Sequence, residues 1–183
     1  MTSRTFIAVD PGAAGGIAWS NRSGVSVVPM PDTRRGCIDA IENILTEEAE
    51  LGYVGSPIAY MEKVSPFIPG GGASMMFQYG RNVERIGCVL ECKGIRIVEI
   101  IPRSWQKALG LGSSDRVKVT KDMNPAEVKS AKAHNDQAKR DWKNKLKAEA
   151  ERRFPQIKVT LKNCDALLLL DVAIQTERAG LGI

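Results

Sequence analysis

The feature that most constrains this chain is the short run Thr5-Phe6-Ile7-Ala8-Val9, closed at once by Asp10-Pro11-Gly12. A β-branched run of this length, bounded by a turn signal, reads as a buried strand, and it leaves an acid fixed at the strand's end. Gly15–Trp19 and Gly24–Pro29 read as two further strands, and the short turns between them predict an antiparallel meander. Ile38, Ile41, Ile44 and Leu45 recur at helical spacing within residues 36–51. Ser56–Val64 is a fourth strand with Glu62 at its far end. A loop at Pro69–Gly72 leads into a helix over Ala73–Lys93, expected to be broken or closely packed at Gly80 and Gly87. Ile95–Ile101 is a fifth strand, and Pro102-Arg103-Ser104-Trp105 opens a short helix. A last short strand is expected at Ile157–Leu161, before a helix over Asp165–Glu177. A meander followed by strands alternating with helices predicts an α/β fold, a mixed sheet with helices on its faces.

The 183 residues suit one domain, and 43% hydrophobic residues supply an ordinary core. The longest apolar run, Ala166–Leu170, has five residues, far short of the roughly 20 needed to span a bilayer. The N-terminus has no secretory pattern, and Cys37, Cys88, Cys92 and Cys164 form neither a disulfide framework nor a zinc pattern. The expectation is a soluble, reduced, cytoplasmic protein.

The net charge of +5 is concentrated. Residues 1–114 carry 11 basic and 11 acidic side chains, and residues 148–183 carry 5 of each. Residues 115–147 carry 10 basic against 5 acidic, so the whole excess lies there. A basic stripe on a neutral body suits a polyanion, nucleic acid above all, although a solvated helix face reads the same way. Within the stripe, Asn124-Pro125-Ala126-Glu127 is a helix start with its capping box, opening one long, weakly amphipathic helix that runs to Phe154.

Three acids sit at element ends: Asp10 after the first strand, Glu62 on the fourth, and Asp165 at the start of the last helix. If those two strands are neighbours, the acids share one edge, and the last helix brings in the third. Carboxylates so placed repel one another unless cations lie among them, and hard oxygen donors suit Mg²⁺ or Mn²⁺. Two such ions about 3.5–4 Å apart promote phosphodiester hydrolysis. As single residues, Asp10 equally suits a turn and Asp165 a helix cap.

Taken in order, Asp10-Pro11-Gly12, Tyr60-Met61-Glu62-Lys63-Val64, Gly72–Arg81, Ile101–Lys107 and Asp165-Ala166-Leu167-Leu168 resemble the RuvC-type Holliday junction resolvases, especially bacteriophage-like and organellar relatives. The resemblance covers most of the chain apart from about 112–142, which looks like a basic helical insertion. It implies one ribonuclease H-like nuclease domain over 1–183, with a mixed five-stranded sheet flanked by helices. It also implies a homodimer acting on four-way branched DNA by paired Mg²⁺-dependent cuts, with Mn²⁺ able to substitute. No membrane or small-molecule substrate is implied, and a viral source would place the protein in the host cytoplasm. The carry-over makes Asp10, Glu62 and Asp165 metal ligands and Lys143 a basic catalytic residue near the scissile phosphate. One departure stands out. Where the family has a further acid or histidine three or four residues before its last carboxylate, this chain has Lys162 and Leu161. Other ribonuclease H-like nucleases on branched DNA or RNA–DNA hybrids, and a catalytically impaired junction-binding protein, therefore stay open.

Candidate DNA contacts are Phe67, an aromatic that could stack on unpaired bases, and Gly72 with Ser74 at a helix start. Arg81, Lys107, Lys129, Lys132, Lys143, Lys147 and Lys162 supply positive charge for phosphates. Trp105, Trp142, Tyr60 and His134 read as packing or solvated residues.

Overall fold

The computed structural model describes residues 4–52, 56–63, 65 and 72–180. Its strands are β1 (Phe6–Asp10), β2 (Gly16–Asn21), β3 (Gly24–Pro29), β4 (Ile58–Glu62) and β5 (Arg96–Ile100). Its helices are α1 (Arg34–Glu50), α2 (Ala73–Cys92), α3 (Pro102–Ala108), α4 (Pro125–Arg153) and α5 (Cys164–Arg178). The sheet order is β3-β2-β1-β4-β5. The first three strands form the antiparallel meander that their short turns impose. β4 and β5 join parallel to β1, with α1 and α2 as the crossovers.

Alternation along the strands divides the core in two. Phe6, Ala8, Ala18, Ile58 and Tyr60 face α5 and the C-terminal half of α4. Ile7, Val9, Ile17, Ala59 and Met61 face α1 and α2. β1 is thus covered on both sides, which is why it reads as an unbroken apolar run. α5 packs across β1 and β2, and all of Ala166–Leu170 is buried. A helix apolar on every side has nowhere to sit but the interior. Each fully buried leucine contributes about 1.5–3 kcal/mol.

Two local expectations are corrected. Residues 157–161 form no strand: Val159 is buried in the core, and the Asn163 side chain takes the backbone partners instead. Asn163 Oδ1 accepts the Thr160 N–H at 2.7 Å, and its Nδ2 donates to Lys158 O at 3.2 Å. α2 is continuous through Gly80 and Gly87; a Cβ at Gly80 would meet nothing within 4 Å, so no close packing requires that glycine. α4 forms with its capping box intact: Asn124 Oδ1 accepts from Ala126 and Glu127, and Glu127 Oε2 accepts from Asn124 N–H. It is one helix of 29 residues, running through position 142 without a break. No described helix is long and apolar enough to cross a membrane.

Candidate active site

Parallel pairing sets the site. Val9 pairs with Met61, so the next residues, Asp10 and Glu62, leave the sheet side by side at its C-terminal edge. The turn after β1 wraps the first carboxylate: Gly12 N–H donates to Asp10 Oδ1 at 3.1 Å, and Gly15 N–H donates to Gly12 O at 2.8 Å. A Cβ on Gly15 would lie 2.1 Å from Asp10 O and 2.8 Å from its Oδ1, so only glycine fits there. At Gly16 a Cβ would lie 2.8 Å from Val28 O and 3.5 Å from the Asn163 Cα. That open space lets the chain entering α5 approach the sheet, which puts Asp165 in the helix's first turn over β1.

The three acids act on one another. Burial pushes Asp10 up to about 6, with the Asp165 charge adding to it against the Gly12 N–H and Lys143. Glu62 rises to about 8, through burial first and then the charges of Asp10 and Asp165. The Trp105 indole, donating to Glu62 Oε1 at 3.3 Å, and the Lys143 ammonium oppose that rise. Lys143 Nζ lies 2.5 Å from Asp165 Oδ2. Burial alone would lower the ammonium, but Asp165 and then Cys164 and Asp10 hold it above its ordinary value. Burial, more than the neighbouring charges, is what holds Asp10 and Glu62 above the ordinary carboxylate range.

Asp10, Glu62, Asp165 and Lys143 are thus brought together. The acids' donors are all carboxylate oxygens, the donor type that hard divalent cations take. Among the described residues no group of three or more His, Cys, Asp or Glu side chains is arranged so that it could hold a metal ion.

The other expected contacts are more dispersed. Gly72 caps α2 without a side-chain bond, and Ser74 is exposed on that helix's first turn. Arg81 lines the groove between α1 and α2 and lies over Phe77, 5.7 Å from the ring centre. It does not join the carboxylates. Lys107, Lys129, Lys132 and Lys162 are exposed, and Lys147 pairs with Glu151 at 2.6 Å. Phe67 lies outside the described residues.

Sequence reading passed over two members of the site. Trp105 is 1% exposed and holds Glu62. Its position on α3, directly after the strand paired with Glu62, was the available signal. Tyr79 continues the inward stripe Tyr79-Val83-Ile86-Leu90 of α2 by one turn, to where the core gives way to the site. Its hydroxyl is pushed up to about 12 by burial and then by Glu62 and Asp10.

No protein-family model and no curated protein sequence matches this chain. Fifteen solved chains do. One, titled as the structure of Thermus thermophilus RuvC, has a TM-score of 0.52 over 96% of each chain, at 13% identity. A likeness at that identity speaks for architecture: the chain has a ribonuclease H-like α/β fold, a mixed five-stranded sheet flanked by helices.

Proposed function

We propose that this chain is a divalent-metal-dependent endonuclease that resolves four-way DNA junctions as a homodimer. The observation that carries the reading is the meeting of Asp10, Glu62 and Asp165 at one sheet edge, with Lys143 against Asp165.

Asp10, Glu62 and Asp165 would hold Mg²⁺ or Mn²⁺, which supplies a water of lowered pKa and charge to stabilise the leaving oxygen. The chain's own residues do the rest. Gly12 N–H fixes one Asp10 oxygen. Trp105 aims Glu62 through its N–H and closes off water behind it. Lys143 is long enough to turn from Asp165 to a phosphate oxygen, and it would hold the scissile group in place. Paired cuts require two sites, hence two copies related by an isologous contact. Met75 and Phe77, 50% and 65% exposed on α2, suit such a contact.

One observation favours a second reading. Lys162 stands exposed where a fourth acid or histidine would complete the family pattern. On that ground the chain would bind junctions without cutting them. Incubating the protein with Mg²⁺ and a four-way junction, a fork, a flap and an RNA–DNA hybrid separates the possibilities. The first reading expects junction cleavage that Asp10→Asn abolishes. Equal cutting of the other substrates would make it a broader nuclease, and junction binding with no product would favour the silent binder.

A further inference from the structure

The segment from Leu111 to Val117 has no regular secondary structure, and side chains pin it along α4. Lys145 Nζ donates to Leu111 O at 2.7 Å, and Ser114 Oγ donates to Ala138 O at 3.4 Å. His134 Nε2 lies 2.8 Å from Asp115 O. Asn135 bonds both sides of one residue, accepting the Val117 N–H at 2.9 Å and donating to Val117 O at 3.0 Å. That pair imitates the ladder a neighbouring strand would supply, without a strand. The contacts move from residue 145 down to 134 as the segment moves from 111 to 117. It therefore runs antiparallel to α4, away from Lys143.

α4 contributes Trp142, Leu146 and Ala150 to the core. Further toward its N-terminus, only Ala131 and Ala138 are buried. The distal half of α4 and its strap thus form one two-layered arm. Residues 115–120 are all exposed, and Arg116 and Lys118 flank Val117, the residue that Asn135 holds on both sides. On α4, Lys129, Lys132 and Lys139 are exposed as well. From Lys143 to Pro125 is eighteen residues, about 27 Å of helix. That length equals about eight base pairs of duplex at 3.4 Å each.

We infer that the strap and the distal half of α4 form a basic arm that lies along the duplex leading away from the cut site, with Asn135 holding the strap in place. This rests on the nucleic-acid reading above, and it adds which part of the substrate the stripe meets. Its partner is the phosphate backbone of a paired DNA arm, contacted without sequence preference.

The test is binding by anisotropy in EDTA, where nothing is cut, to four-way junctions with arms of about 5 and about 15 base pairs, lengths that bracket the expected reach. The parent should bind the long-armed junction about fivefold more tightly, or better, at low salt. Arg116→Gln with Lys118→Gln keeps every bond of the strap. It should erase that gain and flatten the plot of log affinity against log salt by about 2. Asn135→Ala should erase the gain too, while circular dichroism shows the helices retained. Equal affinity of the parent for both junctions would overturn the inference, as would an undiminished gain in the double variant. Failure to bind any DNA would instead sink the functional reading itself.

Discussion

At the scale of residues, the site holds its acids against their own repulsion, and this has a measurable consequence. Glu62 sits at about 8 in the folded chain against an ordinary 4.5. The folded state therefore binds more protons than the unfolded one between those values, and this contribution to stability fades as pH rises through that window. Without divalent cation, Glu62→Gln should raise the melting temperature over the parent, by the equivalent of about 1 kcal/mol or more at pH 8 and by less at pH 5. It should also abolish cleavage. A gain over the parent no larger at pH 8 than at pH 5 would mean that the fold does not hold Glu62 above the ordinary carboxylate range. Trp105→Phe keeps the packing and removes the donor that lowers Glu62. Its acid limb in a pH–rate profile should move to higher pH, with a rate loss of about tenfold and little change in KM. Lys143→Gln should reduce rate far more than junction affinity. Lys129→Gln with Lys132→Gln should do the reverse and reduce the salt slope of binding by about 2. Equal losses of rate and affinity in both variants would refute this division of roles.

At the scale of elements, the strands were legible because their constraints are local. A β-branched run before Asp10-Pro11-Gly12 can hardly be anything but a strand, and Asn124-Pro125-Ala126-Glu127 announces α4 through hydrogen bonds within four residues. The misread element was 157–161, whose β-branched residues suggest a strand. Their backbone partners come from Asn163, a side-chain choice that periodicity does not register. That turn also launches α5, so Asn163→Ala should cost about 1–3 kcal/mol in chemical denaturation and lower activity by displacing Asp165. Unchanged stability would show that the turn is held by other means. Trp105, which reads as a packing residue, and Tyr79 were missed for a related reason. Trp105 bonds Glu62, and Tyr79 feels the charge of Glu62 and Asp10, only through tertiary packing, and their spacing is the same as that of core residues.

For the whole molecule, the sheet order decides everything else. Asp10 and Glu62 stand 52 positions apart in the chain and become neighbours only because β4 inserts parallel beside β1. A sequence can suggest that pairing but cannot state it. The acids at the strand ends suggested that the first and fourth strands are neighbours, and β1 and β4 do pair. The same order separates two faces. α1 and α2 cover one, where Met75 and Phe77 stand exposed. α4 and α5 cover the other and carry Lys143 and the basic excess outward.

The central claim is that Asp10, Glu62 and Asp165 make one cation site, and Mn²⁺ binding followed by electron paramagnetic resonance tests it directly. The parent should deplete free Mn²⁺ saturably, and Asp10→Asn, Glu62→Gln and Asp165→Asn should each weaken that binding by about tenfold or more. Binding of equal strength in the parent and all three variants would contradict the account.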